Sequence, residues 1–526
     1  MSRLPYLAVA VALVGHDAFA DTYPRQPIDV IHYKFALELS DTTDEITGEA
    51  TVDVRFPIAG TKDFALDLAS PSMTVTSVTG PPLTYTHTDS RLTIHLLTPP
   101  AADERRHFRI AYHGIPAGGL RIMKNKYNER TFFSENWPNQ ARQWLPMIDH
   151  PYDKATSEFL ITAPSHYQVI ANGLLMEETD LGDDRRLTHW KQSAPIASWL
   201  NAIGVAQFSV RQFGVANGIP LSTWVYHQDR GQGIATFDLP TRQAMEFFSD
   251  YIGPFSYEKL ANVVAAGLNG GTEHASAIFY GEKSVSDKPA TRLVYHEIAH
   301  QWFGDAVTQK DWDDVWLSEG FATYFTLLGV EHYEGHDAFV ASLERSRGQI
   351  IELETKLPNS PVIHNNLSDM KKVLNRLIYE KGGWTLHMLR RQMGDEKFQA
   401  GIRDYYKRYR DGNTTTDEFR RVMEEHSGLK LAAFFDQWLK RSGVPQVAGA
   451  WSYNSTAKKI MVELSQTQPG DAYVLPLEFR INGERFIQVE MTAKSQRFEI
   501  PVESAPKLLE LDPNVRTLMQ AKFGPR

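Results

Sequence analysis

The stretch HEIAHQWFGDAVTQKDWDDVWLSEGFATYF, residues 296–325, carries the strongest signal in this chain. In a helix, His296 and His300 lie four positions apart on one face, so both imidazoles can bind a single metal ion. Glu297 is then placed to act on a water molecule beside that ion. Glu319, separated from His300 by eighteen residues, is the candidate third ligand. Three protein ligands leave one position of a tetrahedral zinc ion open, which a catalytic site needs and a structural site does not.

The residues around this motif predict two helices. An HExxH match alone can arise by chance, and two histidines one turn apart can simply share a helix face. Ser286 or Asp287 can provide an N-cap oxygen for the first helix, and Gly304 can end it. Ser318 is predicted to cap a second helix, which would hold Glu319 at its start. These flanks favour a metal site over a chance match.

Four further segments accompany the metal motif. They are QARQWLPMIDHP at 140–151, GGTEHA at 270–275, YEKGGWTLHML at 379–389 and FFDQWLKRSGVP at 434–445. Together with the HExxH stretch, in this order and at these separations, they resemble the gluzincin aminopeptidases, the family that includes aminopeptidase N and the leukotriene hydrolase. The resemblance extends from about residue 33 to the C-terminal strands. Such a combination is far more specific than any single motif.

The pattern along the chain predicts a multidomain α+β protein. Strands with a period of two dominate residues 28–212 and return after residue 443, which predicts an N-terminal antiparallel β domain and a C-terminal β-sandwich. Between them, helices are predicted at 241–251, 290–303, 318–332, 373–393 and 397–409. With the resemblance, we expect a signal peptide at 1–20, the β domain at 21–212, a thermolysin-like zinc catalytic domain at 213–442 and the sandwich at 443–526.

The resemblance implies a zinc-dependent aminopeptidase, which hydrolyses the first residue from peptides with free N-termini. One zinc ion per chain is expected on His296, His300 and Glu319. Glu297 would act as the general base that takes a proton from water. By similarity, Tyr379 would donate a hydrogen bond to the oxyanion of the transition state.

The segment GGTEHA implies the substrate-binding residues. Glu273 corresponds to the carboxylate that anchors the substrate ammonium, while His274 replaces the usual Asn. Gly270 and Gly271 would bring the backbone close to the substrate, or would simply form a turn. Glu135 stands where mammalian relatives carry a Gln that lines the first-residue pocket. Its charge would favour a basic first residue, unless it is a solvated loop charge or a second ammonium ligand.

Three alternative functions differ in class. Epoxide hydrolysis, known in one branch of the family, requires an acid eight residues before the tyrosine, and Lys371 occupies that position. A zinc endopeptidase would result if His274 spoils ammonium binding. A noncatalytic peptide-binding relative is disfavoured because all candidate catalytic residues are present. Family members often continue with a helical C-terminal domain that covers the site, and a short form without it is expected to have a more open channel.

Composition and the N-terminus predict an exported protein. The net charge of −9 over 526 residues gives no electrostatic case for nucleic acid binding. With no cysteine, the chain has neither a disulfide nor a thiol nucleophile. Arg3, the apolar residues 4–15 and Ala18-Phe19-Ala20 form a signal peptide pattern, too short for a stable membrane anchor. The protein is expected in the periplasm or outside the cell, and the sequence carries no signal for its oligomeric state.

Overall fold

The computed structural model describes residues 23–363 and 369–526. The predicted signal peptide at 1–20 lies outside these residues, so export stays a prediction. No helix in the described part of the chain combines the length and the apolar composition needed to cross a membrane.

The N-terminal region consists of strands in three sheets. In β2, every second residue from Ile46 to Phe56 is buried, as the period of two predicts. The sheet orders are β12-β13-β10-β1-β2-β7-β4, β3-β6-β5 and β11-β14-β9-β8. All neighbours are antiparallel except β1 and β10, so the predicted antiparallel domain is confirmed with one parallel pair. The strands are β1 Asp29–Glu38, β2 Ile46–Phe56, β3 Asp63–Asp67, β4 Met73–Thr79, β5 Leu83–Thr88, β6 Arg91–Leu96, β7 Glu104–Gly114, β8 Gly119–Lys124, β9 Arg130–Glu135, β10 Ala155–Pro164, β11 Gln168–Ala171, β12 Leu174–Gly182, β13 Arg185–Ile196 and β14 Ile203–Ala206.

A mixed sheet begins the central region. Its strands are β15 Phe208–Ala216, β16 Ile219–Tyr226, β17 Leu260–Ala265, β18 Gly271–Thr272 and β19 Ala277–Gly281. They lie in the order β15-β16-β17-β19-β18, and β16, β17 and β19 run parallel. β15 spans the predicted domain boundary at 212/213 and pairs with β16. The short strand β18 lies at the edge of the sheet, and it leads directly into Glu273.

The helices of the central region carry the HExxH motif. They are α1 Arg230–Tyr251, α2 Thr291–His300, α3 Trp316–Glu334, α4 His336–Lys356, α5 Arg376–Met393, α6 Asp395–Tyr409, α7 Thr416–Ser427 and α8 Ala432–Phe435. A small parallel pair, β20 Val307–Gln309 and β21 Gly412–Thr414, joins the loop after α2 to the loop after α6. The region therefore has the predicted mixed α+β character.

Two predicted helix caps are wrong. Helix α2 begins at Thr291, beyond Ser286 and Asp287, and no side chain caps it. Helix α3 begins at Trp316, so Ser318 lies inside its first turn. The chain enters α3 from a short turn that starts at Asp311, whose carboxylate accepts a hydrogen bond from the Trp312 amide at 2.7 Å. Asp311 thus caps this short turn, whereas no side chain caps α3 itself.

Helices α3 and α5 cross at a contact between glycines. A methyl group on Gly320 would lie 3.0 Å from the Cα atom of Gly382, so a side chain at this point would push the helices apart. The close crossing places the first turns of α3 and α5 side by side. Glu319 and Tyr379 therefore meet, although sixty residues separate them in sequence.

The C-terminal region consists of two packed sheets. One has the order β26-β23-β22-β28 and the other β25-β24-β27. The rings of Phe479 and Phe523, one from each sheet, lie 5.6 Å apart. The strands are β22 Gln446–Asn454, β23 Lys459–Gln466, β24 Leu475–Ile481, β25 Arg485–Met491, β26 Ser495–Pro501, β27 Leu509–Leu511 and β28 Gln520–Pro525, which agrees with the expected sandwich.

Candidate metal centre and active site

Helices α2 and α3 bring three potential metal ligands together. The Nε2 atoms of His296 and His300 are 3.1 Å apart. The Oε2 atom of Glu319 lies 3.3 Å from the first of these nitrogens and 3.2 Å from the second. In the described part of the chain, these three side chains form the cluster that could hold a metal ion.

The donor set and its spacing fit zinc. A tetrahedral zinc ion with bonds of 2.0–2.2 Å has ligand atoms about 3.3–3.5 Å apart. The three observed separations of 3.1–3.3 Å are close to this distance between ligand atoms. Two imidazoles and one carboxylate also match the ligand type of hydrolytic zinc sites.

A serine inside α3 supports the second histidine. Ser318 Oγ lies 3.0 Å from His300 Nδ1, and the carbonyl oxygen of Phe303 lies 3.3 Å from the same nitrogen. Contacts of this kind orient the ring so that Nε2 faces the metal position. A methyl group on Gly304 would lie 2.2 Å from Ser318 Oγ, so the glycine leaves room for this serine. Ser318 thus orients a candidate metal ligand, whereas its sequence pattern predicts a helix cap.

The electrostatics of the site favour a cation. Burial alone would raise the pKa of Glu319, but His300 and His296 outweigh it and lower that pKa to about 2. Burial would lower the pKa of His300, yet the surrounding carboxylates raise it to about 10. Burial raises the pKa values of Glu273 and Glu297, and their neighbouring carboxylates add to this effect. Carboxylates gathered around two imidazoles create the negative field that a divalent cation would neutralise.

Glu297 lies in a tight recess beside β18. It is 5% exposed, and a methyl group on Gly271 would lie 2.4 Å from its carboxyl carbon. Gly271 therefore leaves space for the carboxylate of the candidate base. Gly270 adopts a positive φ of 84°, which suits the turn expected there, and it lines the cavity beside His296.

Tyr379 reaches the metal ligands from the first turn of α5. Its hydroxyl donates a 2.9 Å hydrogen bond to Glu319 Oε1, and its ring stacks on His296 with 5.9 Å between ring centroids. Asn375 caps α5 by accepting a hydrogen bond from the Leu377 amide, which fixes the helix start. Burial and the nearby carboxylates raise the pKa of Tyr379, so its hydroxyl stays protonated and can donate.

Two residues missed in the sequence hold the Glu273 loop against α2. Trp199 Nε1 donates to Glu273 Oε1 at 3.3 Å. Gln301 Nε2 donates to the Glu273 carbonyl at 2.9 Å and to Asp305 Oδ2 at 2.7 Å. The Gln301 side-chain oxygen accepts from the Ser276 amide at 2.8 Å. Gln301 follows His300 directly, which was an available signal, whereas nothing in the sequence pointed to Trp199.

His274 supports the loop from the side of the N-terminal region. It is fully buried, with Nδ1 3.2 Å from the Trp199 carbonyl and Nε2 3.3 Å from the Ser134 carbonyl. Burial lowers its pKa to about 4, so the ring is neutral near pH 7. The side chain contacts the backbone on both sides, while the neighbouring Glu273 carboxylate contacts Trp199.

Glu135 ends β9 close to Glu273. Its side chain is 17% exposed and lies 3.9 Å from Arg121, and the hydroxyl of Thr272 donates to it at 3.4 Å. Burial raises the pKa of Glu135, Arg121 opposes that shift and Glu273 adds to it. Glu135 is therefore a partly buried charge in the site, which disfavours the interpretation as a solvated loop residue.

The fold and this constellation resemble those of the gluzincin metallopeptidases. Residues 30–200 match the model of the peptidase M1 N-terminal domain, and residues 238–438 match that of the peptidase family M1 domain. The chain belongs to peptidase family M1.

Several curated relatives are similar to this chain. It is 27% identical to glutamyl aminopeptidase of Rattus norvegicus over 68% of this chain and 40% of that protein. It is 29% identical to glutamyl aminopeptidase of Sus scrofa over 59% and 35%, and 27% identical to aminopeptidase M1-B of Oryza sativa subsp. japonica over 58% and 36%. The matched part thus spans less than half the length of these relatives.

Proposed function

We propose that this protein is a zinc-dependent aminopeptidase that hydrolyses the first residue from peptides with free N-termini. The observation that carries the proposal is the position of Glu273. It is a buried carboxylate, 7% exposed, on a loop that Gln301 ties to the helix of the two histidines. A substrate ammonium bound there would place the first peptide bond, and no later one, at the metal centre.

The chain's own residues supply the proton transfers and the orientation. His296, His300 and Glu319 would hold zinc, which, when bound, acts as a Lewis acid on the scissile carbonyl and on water. Glu297 takes a proton from the attacking water and returns it to the leaving amine. β18, the edge strand next to this glutamate, offers backbone groups to a substrate in extended conformation.

We expect Tyr379→Phe to lower kcat by about 100-fold or more, because a lost oxyanion donor costs about that much. KM should change little, since the hydrogen bond forms mainly in the transition state. Steady-state kinetics on an aminoacyl arylamide measure both constants. Tyr453→Phe in the C-terminal sandwich is the matched control, and an effect of Tyr379→Phe on KM alone would contradict the assigned role.

Glu273→Ala should reduce the discrimination between free and N-acetylated peptides. In the unmodified protein, acetylation removes the positive charge that the carboxylate binds, so blocked peptides should be cleaved poorly. Without Glu273 the rate on free peptides falls and the ratio of kcat/KM values approaches one. Glu503→Ala, an exposed substitution in the C-terminal region, should keep the original ratio. An unchanged ratio in Glu273→Ala would remove this residue from ammonium binding.

For Glu135 we propose a role as a second ammonium ligand. Burial and Glu273 both raise its pKa, and an ammonium group between the two carboxylates would relieve this repulsion.

The preferred first residue is a separate question. The relatives' name, glutamyl aminopeptidase, refers to an acidic first residue, and Arg121 near Glu135 is a cation that would bind the side chain of such a residue. A panel of aminoacyl fluorogenic substrates measures which first residue is preferred.

A further inference from the structure

A cavity of about 760 Å³ lies beside the metal ligands. His296, Tyr379 and Gly270 are among the residues that line it, whereas neither Glu273 nor Glu135 contributes to it. The volume is within the range of about 300–1,000 Å³ typical of sites for small ligands. The cavity therefore adjoins the candidate metal ligands without including the predicted ammonium site.

Three helices each contribute one arginine to this cavity, namely Arg292 from α2, Arg345 from α4 and Arg376 from α5. Arg292 precedes His296 by four residues, and Arg376 precedes Tyr379 by three, so each lies one helical turn from a residue of the candidate site. All three side chains are exposed at the cavity, where a ligand can reach them.

The positive charges of two of these arginines are only weakly neutralised by carboxylates of the protein. Arg345 Nη2 donates to Ser342 Oγ at 3.0 Å, and no carboxylate within 4.0 Å accompanies it among residues 23–363 and 369–526. Arg292 Nη2 lies 3.9 Å from Glu334 Oε2, at the outer limit of an ion pair. Such a distance between exposed groups gives weak attraction.

The third arginine pairs with a carboxylate that also accepts a hydrogen bond from a serine. Arg376 Nη2 lies 3.3 Å from Glu380 Oε1, while Glu380 Oε2 accepts a hydrogen bond from Ser346 at 2.6 Å. Glu380 also lines the cavity, so the charges there are three positive against one negative. This region is cationic, in contrast to the carboxylate-rich side around Glu273.

We propose that this arginine-lined cavity binds the C-terminal carboxylate of short peptides, so that the protein prefers substrates with few residues beyond the cleaved bond. The proposal rests on the proposed function, which fixes the substrate direction from Glu273 through the metal centre into the cavity. Guanidinium groups match carboxylates in charge and shape. A peptide advances about 3.5 Å per residue, and a helical turn rises about 5.4 Å, so a carboxylate two residues beyond the cleaved bond matches the positions of Arg292 and Arg376, about one turn from His296 and Tyr379.

The test compares kcat/KM for a tripeptide and a hexapeptide, each as a free acid and as a C-terminal amide. The kcat/KM of the free tripeptide should exceed that of its amide roughly tenfold, since three partly exposed cations each contribute about twofold, and less where salt screens them. The hexapeptide should show almost no difference, because its terminus extends past the cavity. Equal values for the tripeptide acid and amide would overturn the proposal.

Arg345→Gln and Arg376→Gln should each reduce the preference for the tripeptide acid over its amide about twofold. Lys356→Gln is the matched control, because it removes the same charge from an exposed position of α4 outside the cavity, and it should keep the preference. An equal loss of the preference in the control would show that only the overall positive charge of the protein matters, which overturns the assignment.

An amidated tripeptide that ends in glutamate carries a side-chain carboxylate but no C-terminal carboxylate, so it distinguishes these two sources of the charge. Full recovery of binding by that side chain would also overturn the proposal.

A binding measurement keeps this inference separate from the proposed function. In Glu297→Gln, calorimetry of the tripeptide acid and amide should give dissociation constants that differ roughly tenfold, with the acid tighter. If no peptide is cleaved by the unmodified protein, the proposed function fails, yet the calorimetric comparison still decides whether the cavity binds a terminal carboxylate. If peptides are cleaved and the two constants are equal, only the cavity assignment fails.

Discussion

Glu297→Gln should retain zinc and lower kcat by about 100- to 10,000-fold, the usual contribution of a positioned general base. An amide has nearly the same shape as the carboxylate, so it fits the recess beside Gly271. The amide cannot accept a proton from water, however, so the rate of the chemical step falls. Steady-state kinetics together with the metal content of the purified variant measure the two effects separately.

Glu503→Gln provides the matched control for this experiment. It makes the same chemical change at an exposed position of the C-terminal region, and its kcat should equal that of the unmodified protein. A Glu297→Gln protein with unchanged kcat would exclude Glu297 from the mechanism. Loss of the metal in this variant would instead mean that Glu297 helps to hold the ion.

His296→Ala should lose zinc and, with it, all measurable activity. A site with three protein ligands cannot lose one and keep both its affinity and its geometry. We expect zinc affinity to fall by more than about 100-fold, the upper end of what the loss of a supporting partner alone costs. Zinc per chain after dialysis, measured by atomic spectroscopy, checks this expectation, and His300→Ala and Glu319→Ala should behave alike.

His166→Ala is the control for the ligand substitutions. His166 lies at the surface of the N-terminal region, with 46% of its side chain exposed. It should retain one zinc ion per chain and full activity. Stoichiometric zinc with full turnover in His296→Ala would contradict the proposed ligand set.

The candidate metal site was predictable because its sequence signal is local. His296 and His300 lie on one helix, so a spacing of four residues specifies their relation. The N-terminal and C-terminal sheets were predictable for a similar reason, since alternating burial along strands such as β2 follows from the period of two. The resemblance added Tyr379, whose contact with Glu319 depends on the glycine contact between α3 and α5.

Helix limits were less predictable where packing overrides local preference. Helix α1 starts at Arg230, eleven residues before the predicted 241, because Gly233 and Pro240 weaken the local helix signal. A methyl group on Gly233 would lie 2.5 Å from a Val225 methyl group, so the tertiary contact requires this glycine. Helices α4 and α7 were not predicted, although Thr415 and Glu418 form a capping box that was a usable signal for α7.

The partners of the residues that support the site could not be derived from the sequence. Trp199 and Glu273 are 74 residues apart, and Gln301 and Glu273 are 28 apart. No local pattern predicts such pairs, because they exist only once the sheet edge and α2 are packed together. The same holds for Ser318, whose local pattern indicates a cap while its actual contact is with His300.

The most direct test of the aminopeptidase assignment is mass spectrometry of one peptide digested with a free and with an acetylated N-terminus. The zinc-loaded protein should release only the first residue of the free peptide, then the next in turn, and should leave the acetylated peptide almost intact. A chelator should stop the reaction. Similar kcat/KM values for both peptides, with cleavage at internal bonds, would contradict the assignment and identify the protein as an endopeptidase.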